Sequence, residues 1–173
     1  RIQKLPMSVS LALNEMISEK ALLCKYTPNI RVSGNLADED TLVEMRISDF
    51  KRVISNLIDN SLQAVSEDGK VEVEVNYVRN ETECTISIID NGIGIPEAIL
   101  KSIMDKGGSY GKPGGKGLGF QWAKKKIEQN HGRILMTSQE GVGTEVRVVL
   151  PVVTDLARKH ASEVRLSLAI REA

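Results

Sequence analysis

The stretch Ile88-Ile89-Asp90-Asn91-Gly92-Ile93-Gly94-Ile95-Pro96 constrains this chain more than any other. Asn-Gly ordinarily reverses one strand into the next. Here an apolar strand closes on a carboxylate, and Pro96 then opens a short helix to about Ile103 where a second strand would be needed. A carboxylate that ends a buried strand is nearly out of water and has to find donors. The exocyclic amine of an adenine suits it, whereas guanine would place a repelled carbonyl oxygen there. Gly92 and Gly94 let backbone pass close to a flat ring.

Around this motif helices and paired strands interleave. Val9, Leu13, Met16, Ile17 and Leu23 recur at helical spacing from Ser8, the expected N-cap, to about Tyr26. Ile30–Leu36 and Thr41–Ile47 are strand candidates around a polar turn. Ser48 or Asp49 is expected to cap a long helix to about Val65, with Phe50, Val53, Ile54, Leu57, Ile58, Leu62 and Val65 in one apolar stripe. Lys70–Val78 and Glu83–Asp90 alternate as a hairpin covered on one face. Met104–Lys116 reads as a loop, Gly117–His131 as a helix stopped by Gly132, and Arg133–Ser138 with Thr144–Leu150 as a closing hairpin ended by Pro151. Strands that come in hairpin pairs argue for an α+β fold, one mixed sheet with helices on one face, and against a doubly wound parallel sheet.

Composition narrows the class. The 173 residues suit one domain, and 41% apolar content can fill a core built from Ile, Leu and Val, since aromatics are only 3%. Lys and Arg (23) balance Asp and Glu (23), so no basic field marks a nucleic-acid binder. Two cysteines, Cys24 and Cys84, suit a reducing compartment and small core positions. No apolar run approaches the ~20 residues that span a bilayer, and no signal peptide opens the chain. A cytoplasmic domain is expected. Its start at Arg1 without methionine suggests a piece excised from a longer protein.

Two further constellations carry chemistry. Asn56 and Asn60 lie one turn apart with Gln63 three residues on, all on one helix face. A solvated face is the plain alternative, yet asparagine is a poor helix former, and a wet face would favour Glu, Lys or Gln. An amide oxygen is a hard, neutral ligand able to hold Mg²⁺ while phosphates and waters complete its octahedron. The second is the loop from Met104 to Lys116, with five glycines interleaved with Lys106, Lys112 and Lys116. Such composition also suits a plain surface loop. However, Gly115-Lys116-Gly117-Leu118-Gly119 leads straight into a helix, where unobstructed N–H groups make a phosphate site. No Gly-Lys is followed by Ser or Thr, which excludes a P-loop, and the dinucleotide fingerprint lacks its third glycine spacing.

Asn56-Leu57-Ile58-Asp59-Asn60-Ser61, Asp90 to Pro96, Gly115 to Phe120 and the turn Gly141-Val142-Gly143-Thr144, in this order, resemble the N, G1 and G2 boxes and last glycine turn of the catalytic, ATP-binding domain of bacterial sensor histidine kinases. The wider family includes DNA gyrase B, the ninety-kilodalton heat-shock chaperone and mismatch-repair ATPases. The resemblance runs from Ser8 to Pro151, giving a domain over residues 1–151 and a tail, 152–173, that reads helical. It implies a two-layer α/β sandwich of the Bergerat type, a mixed sheet of about five strands covered on one face by three helices. By that likeness Asn60 binds Mg²⁺, Asn56 lies near the phosphates, and Asp90 receives the adenine amine. Gly92, Gly94 and Ile95 line the base pocket. Gly115, Lys116, Gly117, Leu118 and Gly119 meet the phosphates beneath a lid over residues 103–116. Thr144 supports Asp90 and the base through water.

The departures matter equally. Water-activating relatives carry a glutamate where this chain has Asn56, and an amide cannot act as general base. Transfer of the γ-phosphoryl group to a histidine is therefore favoured over hydrolysis, with ATP and Mg²⁺ as cofactors. Gln63 replaces a common lysine, so Lys112, then Lys106, is the candidate phosphate cation. Neither His131, expected at a helix end, nor His160 in the tail sits in a phosphoacceptor motif. The implied partners are a dimerisation domain of the same protein bearing that histidine and a response regulator downstream. The full-length protein would be a homodimer, anchored in the inner membrane or not. No nucleic acid and no membrane contact by this fragment is expected. The competing readings are an ATP-dependent module like an anti-sigma factor that phosphorylates serine, and a degenerate kinase whose nucleotide only gates a protein contact.

Overall fold

A computed structural model of the chain describes residues 6–25, 30–36, 41–64, 71–108, 110 and 117–153. The elements follow in the order β1 (Pro6–Ser8), α1 (Val9–Cys24), β2 (Ile30–Leu36), β3 (Leu42–Glu44), α2 (Ile47–Gln63), β4 (Val71–Arg79), β5 (Glu83–Asp90), α3 (Glu97–Lys106), α4 (Leu118–Glu128), β6 (Arg133–Gln139) and β7 (Gly143–Pro151).

Five strands form one sheet in the order β2-β4-β5-β7-β6. Only β2 and β4 run parallel; the other three pairs are antiparallel. This is the mixed five-stranded sheet the sequence leads one to expect. One face carries Tyr77, Cys84, Ile86, Ile88, Ile134, Val146, Val148 and Leu150, all buried. That face packs against Leu13 and Met16 of α1, Phe50, Val53, Ile54, Leu57 and Ile58 of α2, and Phe120, Ala123 and Ile127 of α4, in one core. Alternate residues of β5 and β7, among them Thr85, Ser87, Glu145 and Arg147, point the other way and are half-exposed. Both cysteines are buried free thiols, and burial pushes the Cys84 thiol up to about 12.

Several boundaries differ from the sequence reading, each for a local reason. Pro6–Ser8 form a small strand paired with β3, too short to leave an alternating pattern. The expected strand Thr41–Ile47 ends at Glu44 because Ile47 already opens α2. Neither Ser48 nor Asp49 caps α2. Arg46 occupies that position without a side-chain bond, and Asp49 is drawn instead to Lys126 of α4 at 3.2 Å. On α1, Ser8 is the N-cap as expected, its hydroxyl accepting from Leu11 N at 3.2 Å. Leu23, however, is 65% exposed, while Ala12, Lys20 and Cys24 take the buried positions. The helix α3 runs on to Lys106, past Ile103, and α4 ends at Glu128 with Gly132 N bonded to Ile127 O. His131 adopts φ 61°, a left-handed turn residue at the helix exit. The tail expectation falls outside the described residues beyond Val153.

Phe50 is fully buried where α2 meets the sheet. Phe50→Ala is expected to lower unfolding stability by about 3–5 kcal/mol, read as a lower urea midpoint.

Candidate functional site

The helix α2 is held from both sides, which fixes the two turns that carry Asn56 and Asn60. From α1, buried Lys20 reaches Asp59 Oδ1 at 2.7 Å, while Ser55 of α2 itself donates to Asp59 Oδ2 at 3.3 Å. From α4, Lys126 pairs with Asp49, Arg52 stacks over Trp122 at 4.2 Å, and Asn56 Nδ2 donates to Gly119 O at 3.4 Å.

The turn after β5 is stitched between α2 and the β6–β7 hairpin. Ile93 N donates to Ala64 O at 2.8 Å, and Gly141 N to Ile93 O at 2.7 Å. Ile95 N donates to Ser138 Oγ at 2.8 Å. The glycines are required by space. A Cβ on Gly92 would lie 2.5 Å from Ala64 O, and one on Gly94, at φ 67°, 2.0 Å from Gln139 O. On the far side, α4 closes the end of α3: Gln121 Nε2 donates to Ile103 O at 3.1 Å and Lys124 Nζ to Met104 O at 2.8 Å.

Between these elements lies a cavity of about 370 Å³. Asp90, Asn60, Gln63, Gly94, Ile95, Gly117, Leu118, Gly119 and Thr144, all singled out in the sequence, line it. Asn56 does not; it faces α4 at the cavity's margin through Gly119. Gly92 sits behind the wall against Ala64, and Lys106 is exposed on the last turn of α3, outside the lining. Lys112, Gly115 and Lys116 lie outside the described residues, as does half of the expected lid. Phe120 is a core residue, as its helix position suggests, and also contributes to the cavity.

Asp90 is 6% exposed. Burial raises its pKa above the ordinary carboxylate range, and donors hold it back: Gly92 N at 3.0 Å, the Ser61 hydroxyl and the backbone of Thr144. Ser61 is itself buried, and the sequence reading gives it no site role of its own. The signal lay in the stripe of α2, where a small polar side chain falls at a core position one turn after Leu57. Ser138 was missed as well. Only the cross-strand register, which pairs it with Thr144, brings it to the site.

A mixed sheet with helices on one face and a cavity between α2, α3 and α4, floored by a buried carboxylate, defines a nucleotide-binding α+β domain. Residues 45–154 match the family described as "Histidine kinase-, DNA gyrase B-, and HSP90-like ATPase", and the chain belongs to that family. It is 34% identical over 122 residues to the sensor histidine kinase WalK of Bacillus subtilis, covering 68% of this chain and 20% of that protein. To the sensor protein kinase WalK of Staphylococcus haemolyticus it is 30% identical over 156 residues, 87% of this chain and 25% of that protein. The chain thus spans a quarter or less of these relatives. Among solved structures, the catalytic domain of histidine kinase ThkA superposes with TM-score 0.66 at 26% identity, over 81% of this chain and 94% of that one. A mycobacterial sensor histidine kinase, MprB, shares the fold at TM-score 0.70 and 18% identity, over 86% and 97%.

Removing the Ser61 hydroxyl takes one donor from the Asp90 carboxylate. Ser61→Ala should therefore move the Asp90 titration further upward in carboxyl NMR; an unmoved midpoint would show that the hydroxyl does not serve the charge.

Proposed function

We propose that this domain binds Mg-ATP and transfers the γ-phosphoryl group to a histidine on a separate dimerisation domain of the same protein, in two-component signalling. The observation that carries this reading is a buried carboxylate, Asp90, and a helix-borne amide, Asn60, lining one cavity. The cavity is of the size that small-molecule sites have. Its apolar members, Leu57, Ile93, Ile95, Met136 and Val146, suit a purine ring, and Asp90 accepts from the exocyclic amine.

Among the described residues no three His, Cys, Asp or Glu side chains come together as a metal site. A hard ion here would take the Asn60 carbonyl oxygen and draw its other ligands from phosphates and water, which is how Mg²⁺ is commonly held. When bound, that ion would neutralise phosphate charge. The N-terminus of α4, with Gly117 at φ 64° as N-cap and Gly119 in the lining, turns N–H groups towards the same space. Lys112, Lys116 and Gly115 are proposed to complete the phosphate contacts.

In the transfer, an imidazole nitrogen bonds to the γ-phosphorus as the bond to the β–γ bridging oxygen breaks. ADP leaves with the electron pair, and the imidazole proton passes to solvent. Asn56 has no basic lone pair with which to activate water, so positioning and charge neutralisation carry the step. A response regulator would then receive the group, and the acceptor histidine would come from a homodimeric full-length protein.

Asn60→Ala and Asp90→Ala are each expected to abolish Mg-ATP binding by calorimetry while circular dichroism stays native; retained affinity in either refutes the assignment. ATP mixed with this domain and a purified dimerisation segment should yield an acid-labile phosphoprotein. Acid-stable phosphoserine would favour the anti-sigma-like reading, and brisk hydrolysis by the domain alone would count against the Asn56 argument.

The pH dependence has a definite sign. Because burial raises the Asp90 pKa, its proton arrives early on acidification and removes the charged acceptor. Affinity should fall as pH drops through a window above the ordinary carboxylate range. Comparison with Asp90→Asn, which lacks this titration, cancels the ligand's own protonation, and the gap between the two proteins should close at low pH.

A further inference from the structure

Ser138 sits at a junction of three polar groups. It accepts from Ile95 N at 2.8 Å, donates to Gly143 O at 2.9 Å, and lies 2.8 Å from Thr144 Oγ1. A hydroxyl has one proton and two lone pairs. The amide N–H can only donate and the carbonyl can only accept, so the proton of Ser138 belongs to Gly143 O and one lone pair to Ile95. What remains for Thr144 is the second lone pair. Thr144 must donate to it, and its own proton is thereby committed to the wall of the cavity.

We infer that Ser138 is a specificity-determining residue: by taking the Thr144 proton it makes Thr144 an acceptor only towards the cavity, so that the base-binding end presents two acceptors, Asp90 and Thr144 Oγ1, to the edge of the base. The inference rests on the adenine reading of Asp90 and goes beyond it. The Asp90 carboxylate already receives the Ser61 hydroxyl and the Gly92 amide, which leaves no mobile proton on that side either. A 6-amino purine offers two amine protons to such an edge, directly or through a bound water. A 6-oxo purine sets an oxygen at the 6-position, which both acceptors repel, and keeps only its N1–H as a donor on that edge. Rejection of the oxo base then depends on Ser138, which touches the base nowhere in the cavity lining and acts through Thr144. It is a positioning residue for a proton.

The test compares ADP with inosine diphosphate, which carries an oxygen for the amine at the 6-position and a proton on N1, by calorimetry on wild type, Ser138→Ala, Ser138→Thr and Thr144→Val, with thermal melts to confirm folding. Wild type should prefer ADP. In Ser138→Ala the Thr144 hydroxyl is released to rotate and donate to an oxo group, so the ADP preference should narrow by about fivefold, the worth of one neutral hydrogen bond. Most of the change should be a gain for inosine diphosphate. Ser138→Thr keeps the hydroxyl and should restore the wild-type ratio. If Ser138→Ala does not fold, Thr144→Val breaks the same chain from its other end, and should narrow the ratio by weakening ADP alone. A parallel fall of both affinities in Ser138→Ala, or an unchanged ratio in Thr144→Val, overturns the inference. Failure of the underlying adenine reading looks different: wild type would show no preference for ADP, or Asp90→Ala would bind it undiminished.

Discussion

A carboxylate taken out of water at the end of a strand is costly until donors surround it, and the fold of this domain is arranged about that requirement at Asp90. The donors come from three directions: Ser61 from α2, Gly92 from the following turn, and the backbone of Thr144 from the neighbouring strand β7. Each brings an element with it. The turn after β5 must therefore pass close under Ala64, which is why residue 92 has no side chain, and β7 must begin level with the end of β5. These contacts offset part of the burial cost that raises the Asp90 pKa.

The helix α2 supplies a different requirement, a half-buried amide, Asn60, held in the lining of the same cavity as that carboxylate. An isolated helix would roll and slide. Here the Lys20–Asp59 pair on one flank and the Arg52–Trp122 and Lys126–Asp49 contacts on the other hold it in rotation and register. The apolar stripe from Phe50 to Ile58 fixes which face meets the sheet, and Asn60, off that stripe, lines the cavity. Exposed ion pairs contribute little to stability singly. Buried Lys20 is different, because its charge has been removed from water and Asp59 answers it.

Much of this was legible in the sequence because the determinants are local. Asp90, the glycines after it and Pro96 announce a strand that ends in a site and not in a hairpin, and α2 shows its buried face in plain periodicity. Where the reading failed, distant contacts had overridden local preference. Asp49 looked like a cap and is drawn to Lys126; Leu23 looked like core and is exposed, while Lys20 is buried because Asp59 waits for it. Ser138 carried no signal of its own, since its importance lies in which residue stands across the ladder. The small β1–β3 pair was invisible for its brevity.

The stitching of the turn at Ile93, Ile95 and Gly141 has a thermodynamic consequence. A binding surface whose main-chain groups are already engaged loses little conformational freedom when it is filled. Heat released at that end of the cavity then reflects new contacts with small offset from ordering, and the apolar wall around it should give association a negative heat-capacity change.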